Sequence, residues 1–298
     1  MDALFQFLRQ LINGLQSGSI YALVALGYTM VYGIVKLINF AHGDIIMIGA
    51  YCTLFFITLF AGAGLPVWLS VIPAMIFCAL LGMLCERVAY RPLRHSPRIS
   101  SLITAIGISL LLQNGAQLIF SPNPQSVPKI FSADALTFGS FSISIGAIIT
   151  IVVSLAIMAA LQAFVKGTRL GKAMRAVSED DGAAKLVGIN VNSTIQLTFA
   201  IGSALAAVGS MLYISAYPQV QPTMGSLLGL KAFVAAVLGG IGIIPGAMIG
   251  GLIMGIFESL TKAYISSQLS DAVVFGILII VLLVKPSGIL GKNTKEKV

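Results

Sequence analysis

Apolar residues run along this chain in long unbroken stretches, without the period-two alternation of half-buried strands. The runs over 11–35, 40–61, 66–85, 99–119, 143–165 and 194–215 each reach the ~20 residues that an α-helix needs to cross a bilayer. The region 227–284 is interrupted by Gly239, Gly240, Gly242, Pro245 and Gly246 and reads as three further spans. Only a helical bundle or a closed barrel satisfies its backbone in hydrocarbon, and continuous runs select the bundle. The expected fold is all-α: a polytopic integral membrane helical bundle of about eight or nine transmembrane helices with Gly- and Pro-broken segments, one domain over residues 1–298.

Composition narrows the function. The chain is 57% apolar and only 9% charged, against about a quarter charged in soluble domains. Soluble enzymes, nucleic-acid binders and fibrous proteins are excluded. The net charge of +8 is topological, because 13 of the 18 Lys and Arg fall in three stretches, 86–98, 166–193 and 285–298. The stretches between them, 62–65, 121–142 and 216–226, hold only Lys129 as a basic residue. By the positive-inside rule, 86–98 and 166–193 are cytoplasmic loops and 285–298 a cytoplasmic tail. Two topologies satisfy this pattern: nine spans with the N-terminus outside, or eight with a re-entrant segment and the N-terminus inside. Residues 1–10 lack a basic segment and a small-residue cleavage site, so the first run is expected to stay as a span. Cys52, Cys78 and Cys85 sit in apolar runs without metal-ligand spacing and read as packing residues.

Four features carry candidate chemistry. The stretch 166–193 is too long and too patterned for a plain turn. Ser178 is the expected N-cap of a short helix over Glu179, Asp180 and Asp181 through Ala183, Ala184, Leu186 and Val187, stopped at Gly188. Such a helix either rests on lipid headgroups or docks to a cytoplasmic partner. Asn39, His42 and Asp44 lie at or just inside the second run, either as a polar turn with Lys36 at the cytoplasmic boundary or as pathway and gate residues, since ionisable groups in the membrane are costly. Lys231 either snorkels from a span end or faces the pathway, while Glu258 and Lys262, four apart, should pair at the outer boundary. In the glycine-rich window 225–255, Gly251 and Gly255 form a G-x-x-x-G match for close helix approach, and Gly239 and Gly240 mark broken helix ends that can line a path. No catalytic constellation and no metal site is expected: His42 and Asp44 stand two apart with no third ligand. The chain also lacks a nucleotide-binding loop, so ATP used in transport must bind another chain.

Several blocks carry a resemblance. Gly171, Ala173, Arg175, Ala176, Glu179, Ala183, Ala184, Gly188 and Ile189 follow a G-x-A-x-R-A, E, A-A, G-I pattern. The segments 13–27, 39–44 and 237–242 match in the same order. In these blocks the chain resembles permease subunits of ABC importers, in particular the H-type permease of the branched-chain amino acid group, from near residue 11 to near residue 290. Glu179 is separated from Ala183 by Asp180, Asp181 and Gly182, a wider spacing than the general importer loop has. The resemblance implies ATP-driven, binding-protein-dependent import of leucine, isoleucine and valine across the bacterial inner membrane. It implies a second related permease, two cytoplasmic ATPase subunits, a periplasmic amino-acid-binding protein and surrounding lipid as partners, with no nucleic acid. ATP and Mg would be held by the partners and no cofactor by this chain. The loop 171–188 would then dock an ATPase with Ala183 and Ala184 close-packed and Arg175 and Glu179 at the rim. From its position near a helix start, Asp44 is expected to shape the cytoplasmic mouth by accepting hydrogen bonds from Asn39, His42 or backbone amides, without binding substrate directly. A permease for another small amino acid or amide shares these features. An ATP-independent transporter or channel would call for more intramembrane carboxylates than Asp44.

Overall fold

A single helix forms the post of the bundle. In the computed structural model, which describes residues 2–37, 39–94, 96–131, 135–138 and 141–291, α1 (Asp2–Val35) runs for 34 residues, about 50 Å at 1.5 Å per residue. It starts nine residues before the apolar run does, because Arg9 and Gln10 interrupt the hydropathy but are good helix formers. From Ile20 to Leu26 every side chain is buried, so neighbours surround it.

The chain continues through α2 (His42–Gly62), α3 (Val71–Cys85), α4 (Arg98–Phe120) and α5 (Ile145–Gly167). A tight turn at Val67–Ser70 leads into α3, and a wider turn at Glu86–Tyr90 leads out of it. Two short helices, α6 (Arg169–Glu179) and α7 (Asp181–Leu186), fill the second basic stretch before α8 (Val191–Ala216), α9 (Met224–Gly239), α10 (Ile244–Tyr264) and α11 (Ser270–Val284). Among the described residues, seven helical segments are long and apolar enough to cross a membrane, and α9 and α11 are shorter apolar helices. These nine include the three expected beyond residue 227. Lys292, Lys295, Glu296 and Lys297 of the expected tail, and His95, lie outside the described residues.

Topology follows from where α1 ends. Its last residues and Lys36 line a cavity together with Arg91, Arg94, Glu179, Asp181 and Lys185, so α1 finishes beside the two basic stretches, the side that the positive-inside rule assigns to the cytoplasm. As one continuous helix it begins at the opposite end of the bundle, the arrangement expected of the topology with the N-terminus outside.

Packing against the post depends on small residues. Along α1 and α10, Gly14 and Gly18 face Gly255 and Gly251: a Cβ on Gly255 would collide with the Gly18 backbone, and one on Gly251 with Ala22. Such contact lets backbones approach where lipid gives no hydrophobic drive for helix association. Helices at the periphery show the opposite surface. α4 leaves Ile103, Leu111 and Leu118 exposed, as expected of a helix whose outer face meets hydrocarbon or another subunit. Side-chain N-caps with a hydrogen bond are confined, among the described helices, to α6, α7 and α8, in and just after the second basic stretch. Thr168, Asp180 and Asn190 accept from the amides of Gly171, Ala183 and Ser193 at 3.0, 2.9 and 3.0 Å, satisfying amides that would otherwise be left to water. Two antiparallel ribbons accompany the helices, β1 (Gln125–Ser126) with β4 (Gln219–Val220), and β2 (Leu136–Phe138) with β3 (Phe141–Ile143).

Candidate functional site: a cytoplasmic platform and two buried carboxylates

The cytoplasmic platform is built from α6 and α7. Its first helix is capped by Thr168, and Gly171 lies so close to the Phe164 and Val165 backbone that a Cβ there would clash. Ser178 lies inside α6 and does not cap the second helix: its hydroxyl donates to the Arg175 carbonyl at 2.7 Å. Asp180 caps α7 instead, because its extended backbone points its carboxylate at the Ala183 amide. Gly188, at φ +85°, closes α7 in a conformation suited to glycine. Met174, Val177 and Ala184 are buried, and Ala184 packs in one cluster with Val177, Val191, Ile195 and Phe199. The alanine expected to enter a partner's groove therefore anchors the platform to its own chain. Ala183 and Glu179 are exposed, with Ala173, Ala176 and Ile189 partly buried. Arg175 donates to the Lys166 carbonyl at 3.2 Å. The most projecting apolar side chains are Leu186 and Val187, 90% and 75% exposed.

Asn39, His42 and Asp44 lie deeper than the boundary expected for them. Lys36 takes φ +55°, which turns the chain back at the end of α1, and a Cβ on Gly27 would strike the His42 ring. Gly27 is eight residues before Val35, about 12 Å along the helix. α2 thus starts about two helical turns short of the end of α1. The three side chains do not form one mutually bonded turn either. Tyr90 Oη donates to Asn39 Oδ1 at 2.6 Å, while His42 meets the Tyr28 ring edge-on at 4.6 Å. Asp44, 1% exposed, accepts a hydrogen bond from Gln113 Nε2 of α4 at 2.8 Å. The same amide nitrogen reaches the Ser109 and Ser226 hydroxyls at 3.1 and 3.0 Å. Beside this cluster α9 begins, and the start of α2 crosses it backbone to backbone: a Cβ on Gly229 would stand 2.7 Å from Gly43 Cα. A cavity of about 320 Å³ opens here, with Asp44, Ser109 and Ser226 at one end and Tyr28, Phe40, Leu102, Ile106, Leu110, Leu230 and Phe233 along its walls.

Lys231 does not snorkel. It is 6% exposed, and its ammonium lies 2.8 Å from Glu258 of α10 and 2.7 Å from Asp271 of α11. Lys262 also reaches Glu258, at 2.5 Å, making the pair expected from their spacing. Glu258 is six residues before the end of α10, about 9 Å below it. Gly239 and Gly240 serve a turn: Gly239 presses on Gly246, and Gly240, at φ +109°, packs against Gly291 and Ser287. Gln113, Ser109, Ser226, Tyr28 and Asp271 are not among the residues expected at a site. Gln113 carries a signal, an amide inside an apolar run; Asp271 carries none, since its partner Lys231 lies 40 residues away.

Comparison with known proteins bears on the whole chain. Residues 10–282 match the family model described as branched-chain amino acid transport system / permease component. The high-affinity branched-chain amino acid transport system permease protein LivH of Salmonella typhimurium is 48% identical, with 98% of each chain covered. BraD of Pseudomonas aeruginosa, described in the same words, is 46% identical over 100% of both chains. A probable branched-chain amino acid transport permease of Methanocaldococcus jannaschii is 30% identical over 93% of this chain and 90% of its own. With its apolar helices and full-length similarity taken together, the chain is a multi-pass membrane transporter subunit and belongs to the permease family of branched-chain amino acid transport systems.

Proposed function

We propose that this chain is one of two related permease subunits of an ATP-driven importer that carries leucine, isoleucine and valine across the inner membrane. A periplasmic binding protein delivers the amino acid, and two cytoplasmic ATPase subunits bind ATP and Mg and drive the cycle. The observation that carries this reading is the platform formed by α6 and α7. A span-to-span connection needs only a few residues, yet here it folds into two capped helices, fixes them to the bundle through Met174, Val177 and Ala184, and leaves Leu186 and Val187 exposed. Exposing those two side chains on a free protein is unfavourable by roughly 1.5–3 kcal/mol each relative to burial, and burial in a groove of an ATPase recovers that.

The test is a chromosomal deletion of this chain, complemented with wild type or with Leu186→Asp, and assayed for radiolabelled leucine uptake. Deletion is expected to abolish high-affinity uptake and wild type to restore it. Leu186→Asp should restore insertion of the chain but not co-purification of the ATPase. Uptake undiminished by the deletion contradicts the assignment. Cysteine crosslinks from position 186 to lipid alone, with none to an ATPase, would make the platform an interfacial helix.

A further inference from the structure

We propose that the cavity between α4 and α9 is an amino-acid-binding site, in which Asp44 receives the substrate's α-ammonium group. The proposal rests on the reading of this chain as an amino acid permease and assigns the residues that would recognise the substrate.

Asp44 is short of a positive charge. Three described carboxylates are almost wholly buried: Asp44, Glu86 and Glu258. Glu86 pairs with Arg94, and Glu258 with Lys231 and Lys262. Asp44 has a neutral amide donor in Gln113 and, among the described residues, no cationic partner. An ionised carboxylate in low dielectric is costly unless it meets a positive charge. An amino acid brings that charge with it.

The cavity is polar at the corner made by Asp44, Ser109 and Ser226, with the Tyr28 hydroxyl beside Gly43 and Gly229; its remaining walls are aliphatic and aromatic. At about 320 Å³ it lies at the lower end of the range for small-molecule sites, ~300–1,000 Å³. A short branched hydrocarbon fits the walls, and a zwitterionic head fits the corner. α9 begins at this corner with Met224, Gly225 and Ser226, so the positive end of a 16-residue helix and the Ser226 hydroxyl lie where the carboxylate of a bound amino acid would point. Gly43, Gly225 and Gly229 permit this placement, since a Cβ on any of them would drive α2 and α9 apart.

Substituting Asn for Asp44 separates the site from a structural role. Its Oδ1 still accepts the Gln113 hydrogen bond; only the charge is lost. The readout is alkylation of a cysteine placed in the cavity wall by Ile106→Cys, in a Cys52→Ala background, in the full chain reconstituted with its partner subunits. L-leucine and 3-methylbutylamine, which both carry an ammonium group, are expected to slow alkylation about tenfold or more at saturation. 4-Methylpentanoate, which lacks one, should not protect, and Asp44→Asn should lose protection by the first two. Protection unchanged in Asp44→Asn, or given equally by 4-methylpentanoate, overturns the site. Failure of the wider reading looks different. If 3-methylbutylamine protects but leucine, isoleucine and valine do not, the ammonium site stands and the branched-chain assignment falls. If leucine uptake depends on this chain while leucine protects nothing at position 106, the assignment stands and the site falls.

Discussion

Glu258 and Asp44 are equally buried, at 1% exposure each, yet their surroundings differ in the one respect that matters for a charge in a membrane. Around Glu258 two lysines and Asp271 bring together two positive and two negative groups from α9, α10 and α11. The network is neutral in itself and ties three helices together near the outer end. Around Asp44 three neutral side chains from α4 and α9 gather, next to an open cavity. The first arrangement is complete without a ligand; the second lacks a cation. Burial alone therefore does not distinguish a structural carboxylate from a functional one. The inventory of partners does.

The largest effect should come from breaking the complete network. Lys231→Met leaves Glu258 with only the half-exposed Lys262 and Asp271 without its partner, and removing one member of a buried pair costs about 3–5 kcal/mol. The expected outcome is a markedly lower melting temperature of the solubilised chain and poor accumulation in the membrane. Lys231→Met combined with Glu258→Leu should recover part of that loss, because the uncompensated carboxylate is gone. If the single substitution is silent, the network does not hold α9 to α10.

How much of this contrast the sequence displays depends on distance along the chain. Nine apolar helices are visible in hydropathy because each is a local run, and the Glu258–Lys262 pair is visible because its members are one helical turn apart. The Gly251 and Gly255 match likewise meets a partner, α1, of the kind its spacing predicts. The depth of Asp44 is not visible. It depends on the reversal at Lys36 and on the fit of His42 against Gly27, and neither leaves a pattern in composition. Lys231 resembles a snorkelling residue until α11 folds back to place Asp271 beside it. In the platform, Asp180 rather than Ser178 caps α7 because α6 continues through Ser178, and the pattern of polar residues there permits both caps.

A middle-sized effect is expected at Gln113. Gln113→Leu removes one of the two described side-chain donors to Asp44, leaving Ser109, and a buried carboxylate that loses a partner costs about 1–3 kcal/mol. In leucine uptake it should raise the apparent KM more than it lowers the maximal rate, since Asp44 keeps its charge but loses its orientation. An unchanged KM would remove Gln113 from the site. The smallest effect belongs to Lys262, whose side chain is 43% exposed. Lys262→Met should change stability by less than about 1 kcal/mol, since Lys231 still neutralises Glu258. A loss as large as that of Lys231→Met would mean that the outer lysine carries the network.

The contrast between the two carboxylates is tested most directly by the melting temperatures of Asp44→Asn and Glu258→Gln, measured side by side on the solubilised full chain without substrate. If Asp44 carries an uncompensated charge kept for a ligand, neutralising it removes a cost, as substitutions at functional sites often do. Asp44→Asn should then melt at or above the wild-type temperature. Glu258→Gln breaks a neutral network and should melt lower by roughly 5–10 °C. A fall in Asp44→Asn comparable to that in Glu258→Gln would contradict the account, because both carboxylates would then be structural.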